Sequence, residues 1–181
     1  MPGVGASPRA RSLAYALAID DAQRIFNELA GEIDYSMLIV TAAADGDRAD
    51  CLVGFATQCS IDPPRFLVCI SDKNHTLAVA ERSDALLVHF VQADDVELAE
   101  LFGSQTGDEV DKFAGVRWHA GPRGLPVLDD CTRWFAGSIV ERLELGDHRG
   151  FVLEPLAAQR RGGGEPFLFH RAKRIAPGHP A

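Results

Sequence analysis

Between Cys51 and Thr76 the chain reads CLVGFATQCSIDPPRFLVCISDKNHT, and its residue types suit a flat ligand that ends in a phosphate. On an extended strand the period of two puts Cys51, Val53, Phe55, Thr57 and Cys59 on one face and Leu52, Gly54, Ala56, Gln58 and Ser60 on the other. The second face is small and polar, so a planar ring system can lie against it. Beyond the Asp62-Pro63-Pro64 corner and an apolar strand, Lys73, Asn74, His75 and Thr76 gather a cation, side-chain donors and the backbone N–H groups of a helix start. That combination suits a phosphate. Taken alone, the same four residues also describe a solvated turn that caps a short helix, a common use of Asn and Thr.

The elements that must hold these residues can be read from the pattern around them. Met1 to Ser12 is rich in Pro, Gly, Ser and Arg and is expected to lack fixed structure. Asp20 or Asp21 then caps a helix in which Ala22, Ile25, Phe26 and Leu29 share a face, and Gly31 ends it. Met37 to Ala43 reads as a strand, and Asp45-Gly46 as the tight turn into the Cys51 strand, which runs to Ser60. A short helix follows Thr76 to about Arg82, then a strand from Ala85 to Val91. Asp94 or Asp95 caps a second helix with Leu98, Ala99, Leu101 and Phe102 as its apolar stripe and Gly103 as its stop. Asp108 to Phe113 reads as one further helical turn, and Gly115, Gly121, Pro122, Gly124 and Pro126 break the chain into short extended pieces. Trp134 to Leu143 and Arg149 to Leu156 pair as a hairpin across Gly146-Asp147, and a last strand runs from Phe167 to His170. About six or seven strands with two or three short helices predict a mainly β fold, a barrel with appended helices.

Composition sets further bounds. The 181 residues fit one domain, with 46% hydrophobic and 24% charged residues, the balance of a globular protein. A net charge of -8 argues against nucleic acid or an anionic membrane as partner, because those surfaces reward clustered Lys and Arg. The N-terminal apolar run from Leu13 to Ile19 is too short to span a bilayer and poor as a secretory core. Cys51, Cys59, Cys69 and Cys131 have neither zinc spacing nor CxxC spacing and are expected to be structural thiols in a reducing cytoplasm. No G-x-G-x-x-G or Walker loop is present, and Gly162-Gly163-Gly164 lacks the Lys-Thr and helix that a phosphate loop needs.

The order of Ser60-Ile61-Asp62-Pro63-Pro64, the apolar strand Phe66 to Ser71 and the turn Lys73 to Thr76 resembles the FMN-binding core of the flavin reductase-like family, whose members include NAD(P)H:flavin oxidoreductases and the flavin domains attached to flavodiiron proteins. The resemblance continues through Phe113-Ala114-Gly115, Gly121 to Pro126, Gly146-Asp147-His148 and Pro166-Phe167-Leu168-Phe169-His170. It implies an FMN-binding split β-barrel over residues 19–172, with residues 1–18 and a mobile tail 173–181 outside it. Gly54 departs from the pattern: many relatives carry Ser or Asn there near the flavin, so a side-chain contact is missing or replaced by backbone.

What the resemblance implies about chemistry follows from the demands of FMN, which supplies the redox step while the protein orients its ring and holds its phosphate. Backbone around Val53 to Thr57, with Phe55 among it, is the expected donor to the ring edge, and Gly54 and Thr57 lead because small residues allow close approach. Gln58 and Ser60 face the ribityl chain, or Ser60 instead bonds the backbone of the Asp-Pro-Pro corner. Lys73, Asn74 and Thr76 hold the phosphate, and His75 is either a further donor or a surface imidazole. His148 stands near the ring face where nicotinamide arrives, or simply bonds its hairpin neighbours. The family pattern implies NADH or NADPH as donor, FMN or FAD as flavin, a homodimer, and electron delivery to free flavin, a monooxygenase or another acceptor protein. The alternatives are an FMN electron carrier that serves a protein partner without nicotinamide activity, and a split barrel that has lost flavin and binds another planar ligand.

Overall fold

A computed structural model describes residues 8–104 and 111–175. The chain divides into two compact units, residues 1–34 and residues 35–181. In the first, helix α1 spans Pro8–Glu32 and so starts well before the expected cap at Asp20 or Asp21. Pro8 suits a helix start because its fixed φ fits the first turn, where its missing N–H is no loss. Residues 8–12 are therefore helical, not irregular, while residues 1–7 of that expectation lie outside the described residues. Arg24 bonds Asp21 at 2.6 Å and Glu28 at 2.7 Å, the spacing at which helix neighbours meet.

The second unit is mainly β. Strands β1 (Leu38–Ala44), β2 (Asp47–Val53), β3 (Ala56–Ser60) and β4 (Arg65–Ser71) precede helix α2 (Thr76–Ala80), strand β5 (Ala85–Phe90) and helix α3 (Val96–Ser104). Short strands β6 (Trp118–Ala120) and β7 (Pro126–Leu128), the long pair β8 (Arg133–Glu144) and β9 (His148–Arg160), and helix α4 (Phe169–Ala172) complete it. Seven strands form an antiparallel sheet in the order β2-β1-β5-β8-β9-β4-β3, and β6 and β7 pair separately. The expected last strand at Phe167 to His170 is instead a pair of isolated bridges, Ser36 with Leu168 and Gln92 with Pro166, followed by α4. Pro166 lacks the N–H that a continued ladder would need. The turn expected from Asp108 is a 3-10 turn at Lys112–Gly115, and residues 108–110 lie outside the described residues, as do residues 176–181 of the expected tail.

The two edge strands of the sheet are consecutive in the chain, because only Gly54 and Phe55 separate β2 from β3. Cys51 and Val53 of β2 share one buried cluster with Val68 and Ile70 of β4, from the opposite end of the sheet. A sheet whose two ends pack into one core must curl on itself, which is the split-barrel arrangement. Both faces of β1 are covered: Leu38, Val40 and Ala42 point into that core, while Ile39 packs with Phe102 of α3, Phe113, Leu128 and Phe167. Its apolar run, broken only by buried Thr41, whose hydroxyl donates to the Pro126 carbonyl oxygen, reflects this two-sided burial.

His89 on β5 ties these layers together and makes the fold sensitive to acid. Its ring is fully buried, with Nδ1 3.2 Å from the Ile39 carbonyl oxygen and Nε2 accepting the Leu128 N–H at 3.0 Å. A backbone N–H can only donate, so Nε2 must be bare and Nδ1 must carry the proton. Burial lowers the His89 pKa from 6.5 to about 4. The unfolded chain then binds the proton first, so stability present at neutral pH is lost as pH falls from 6.5 toward 4, by about 3 kcal/mol in all. Denaturant titrations across that window should show a steeper loss in the wild type than in His89→Gln. Parallel pH profiles for the two proteins would contradict the assignment.

Candidate functional site

The segment expected to be one strand from Cys51 to Ser60 breaks at Gly54 and Phe55, where the chain passes from one sheet edge to the other. The break shifts the alternation by one residue. Cys51 and Val53 face the core, but so does Ala56, whereas Thr57, Gln58 and Cys59 are exposed. The two faces expected from strict alternation therefore do not persist through the segment. Val53 is buried in the core, so its side chain is not available to a ligand. Cys59 is an exposed thiol on an edge strand, which corrects the expectation of a packed structural one, while Cys51 and Cys131 are buried.

The break leaves donors without partners. Ala56 N–H turns back to the Gly54 carbonyl oxygen at 3.0 Å, and Cys69 N–H donates to the Phe55 carbonyl oxygen at 2.9 Å. The N–H groups of Gly54 and Phe55 make no hydrogen bond among the described residues. Two adjacent free amides on a half-exposed backbone, beside a residue with no side chain, fit the acceptor edge of a flavin ring. Thr57 Oγ1 bonds the Gln58 carbonyl oxygen at 3.3 Å, and Gln58 Nε2 bonds the Ser60 carbonyl oxygen at 3.1 Å.

Strand register brings His148 to this break. Phe55 joins β4 at Cys69, Cys69 faces Gly150, and Ser71 faces His148 at the start of β9. Gly146, at φ +78°, allows the tight turn that puts His148 there, and Leu145 N–H closes it on the His148 carbonyl oxygen at 3.0 Å. The imidazole lies 5.2 Å from the Phe55 ring, and its Nδ1 is 2.7 Å from Asp147 Oδ1. That hydrogen bond, with the charge of the imidazole and a smaller pull from Lys73, holds the Asp147 carboxyl below its usual range.

The Lys73 turn meets the same hairpin, because Asp72 N–H donates to the Asp147 carbonyl oxygen at 3.0 Å. Its own backbone differs from expectation. Lys73 N–H is taken by Ser71 Oγ, Asn74 N–H by the Ser71 carbonyl oxygen, and Thr76 N–H by Asn74 Oδ1 at 3.0 Å. The donors expected to be free at the helix start are thus consumed within the turn. Thr76 is buried, and its hydroxyl donates to the Asp50 carbonyl oxygen at 2.5 Å, which fastens α2 to β2. What remains for an anion is the exposed Lys73 ammonium and the amide nitrogen of Asn74, while His75, also exposed, has contacts of its own. Ser60 is not part of this group. It pairs with Arg65, at the other end of β4 from Ser71, and six residues of strand span about 20 Å.

Two features escaped sequence reading. Tyr35 stacks on Phe169 at 4.5 Å and lies 6.1 Å from Phe55, which extends the aromatic row that ends at His148. Phe169 lies within the Pro166 to His170 motif, but nothing in the motif tells which ring it meets. Behind the Lys73 turn, Asp50 and Lys112 form a buried ion pair at 2.5 Å. Among the described residues no group of three or more His, Cys, Asp or Glu could hold a metal ion, and no helix is long and apolar enough to cross a membrane.

Comparison with known proteins follows the same segment. A family model for the flavin reductase like domain matches residues 30–177. The chain is 31% identical over 148 residues to the reductase component of a 4-nitrophenol 4-monooxygenase/4-nitrocatechol 2-monooxygenase from Rhodococcus opacus, across 82% of this chain and 77% of that protein. It is 26% identical over 156 residues to an FMN reductase (NADH) from Ancylobacter novellus, across 86% of both. A solved structure of a flavin reductase domain protein from Arthrobacter sp. FB24 superposes with a TM-score of 0.74 at 25% identity, over 82% of this chain and 91% of that one.

Proposed function

The chain belongs to the flavin reductase-like domain family and is a nicotinamide-dependent, FMN-binding flavin reductase; from that premise we propose how its residues do the work. The flavin edge is held by the Gly54 and Phe55 N–H groups, and its phosphate by Lys73 and Asn74. FMN, when bound, supplies the two-electron acceptor, and the protein supplies position and charge. His148 borders the approach of NADH or NADPH. The reduced flavin serves a monooxygenase or a similar acceptor, a reading supported by the Rhodococcus relative, which is itself a reductase component. We also read the protein as a homodimer, since Val140, Leu145 and Leu156 on the β8–β9 hairpin are exposed apolar side chains, and as cytoplasmic, since its four cysteines are free thiols.

The pair of free amides at the strand break carries this reading. A visible spectrum of the purified protein, followed by anaerobic addition of each nicotinamide, tests it: a bound flavin should bleach rapidly with NADH or NADPH. A flavin bleached only by a chemical or protein reductant would favour the electron carrier.

The phosphate assignment has its own measurement. Removing a hydrogen bond to a charged group costs about 1.5–3 kcal/mol, or roughly 10- to 150-fold in affinity. Titrations should show Lys73→Ala weakening FMN by about 10-fold, the low end for an exposed side chain, with riboflavin unchanged. Thr76→Ala, whose hydroxyl serves the fold, should not discriminate between the two ligands. Equal losses for FMN and riboflavin in Lys73→Ala would remove the phosphate from this turn.

A further inference from the structure

Gly54 and Tyr35 are a matched pair. A Cβ added at Gly54 would fall 2.5 Å from Tyr35 Cε2 and 3.3 Å from Met37 Sδ, so no larger residue fits while the tyrosine is in place. Cε2 adjoins the phenolic carbon and is nearer than Cδ2, at 2.5 Å against 3.4 Å, so the hydroxyl-bearing end of the ring is the part of Tyr35 that approaches Gly54. The ring is fixed from behind: Phe169 stacks on it at 4.5 Å with an interplanar angle of 14°, and Phe169 N–H donates to the Tyr35 carbonyl oxygen at 2.9 Å. In front, Phe55 lies 6.1 Å away and is itself 5.2 Å from His148. The Tyr35 hydroxyl makes no hydrogen bond among the described residues. The site thus holds a rigid ring whose one polar atom is unused, in the place where residue 54 has no side chain.

We propose that Tyr35 is a flavin-positioning residue, whose phenol takes the place of the side chain absent at Gly54 and bonds the polar edge of the flavin ring. The inference rests on the assignment of that edge to the Gly54 and Phe55 amides. Burial raises the phenol pKa, which keeps the hydroxyl a donor at neutral pH. Because the contact is to the ring and not the phosphate, it acts on FMN and riboflavin alike, unlike that of Lys73.

Titration of FMN and riboflavin, read by flavin absorbance and fluorescence, tests this in Tyr35→Phe, Tyr35→Ala, Gly54→Ser and the double variant Gly54→Ser/Tyr35→Ala. Tyr35→Phe keeps the stacked ring and should fold as the wild type by circular dichroism. It should weaken both ligands about threefold to tenfold, the worth of one neutral hydrogen bond, and shift the bound-flavin spectrum. Gly54→Ser alone should lose thermal stability and flavin affinity, and removing the Tyr35 ring in the double variant should restore part of both. Wild-type affinity and an unshifted spectrum in Tyr35→Phe and Tyr35→Ala, with the wild type binding flavin, would overturn the role of Tyr35 and leave the flavin site standing. Absence of flavin binding in the wild type would overturn both.

Discussion

Asp50→Ala should destabilise the protein by about 3–5 kcal/mol, the cost of leaving one member of a buried ion pair without its partner. Lys112 Nζ lies 2.5 Å from Asp50 Oδ1, and the two side chains are only 2% and 5% exposed. The ammonium also sits 3.5 Å from the Phe102 carbonyl oxygen and 5.4 Å from the centre of the Phe102 ring, contacts too weak to replace a carboxylate. The converse variant, Lys112→Met, should behave differently with pH. Burial already pushes the Asp50 carboxyl up, against the pull of Lys112, so without the lysine Asp50 can escape by taking a proton. A raised carboxyl pKa favours the folded state at low pH, and that contribution is lost as pH rises through the folded pKa. Lys112→Met should therefore be least impaired near pH 5 and most impaired near pH 8 in urea unfolding, and Asp50→Leu/Lys112→Met should recover much of the loss. Losses below about 1 kcal/mol in both single variants would show that the pair contributes little.

That pair also illustrates what sequence could and could not reveal. Charged residues are read as surface, and Asp50 and Lys112 lie far apart in the chain, so only the fold discloses that each is buried against the other. Local signals succeeded where neighbours in sequence are neighbours in space. Asp45-Gly46 supplies the positive φ of the β1–β2 turn, at +54° and +87°, and Gly146-Asp147 turns β8 into β9. The segment from Cys51 to Thr76 correctly marked a strand, a corner, a strand and a helix start. It failed at Gly54-Phe55, because strict alternation assumes one continuous strand and says nothing of a chain that leaves one sheet edge for the other. The same limit hid Tyr35: a single tyrosine ahead of an apolar strand has no periodic partner, and its meaning comes from Gly54 and Phe169, both distant in sequence. Side-chain chemistry at the Lys73 turn was legible, but the consumption of its N–H groups by Ser71 and Asn74 was not, since a cap and an anion site use the same residue types.

His148→Ala should slow flavin reduction by nicotinamide far more than it weakens FMN. The imidazole is held on three sides, by the Asp147 carboxylate at 2.7 Å, by the Phe55 ring at 5.2 Å and by the register that seats it against Ser71. A group so fixed, with 22% of its side chain exposed, can meet an incoming dinucleotide without first being ordered. Two-electron transfer needs no proton from the protein, so the imidazole acts by its polarity and its position. If its contact strengthens as negative charge develops on the flavin ring, losing it costs about 2.7–4 kcal/mol, or on the order of 10²–10³ in rate. A purely orienting imidazole would cost less, and the loss would appear mainly at low nicotinamide. Asp147→Asn separates the two roles, since it keeps the ring but removes the carboxylate charge beside it. Stopped-flow reduction of the FMN-loaded proteins by NADH and NADPH, with FMN affinity measured alongside, reads each effect independently. A His148→Ala protein that binds FMN normally and is reduced at the wild-type rate at both low and saturating nicotinamide would leave His148 only as the closing residue of the β8–β9 turn.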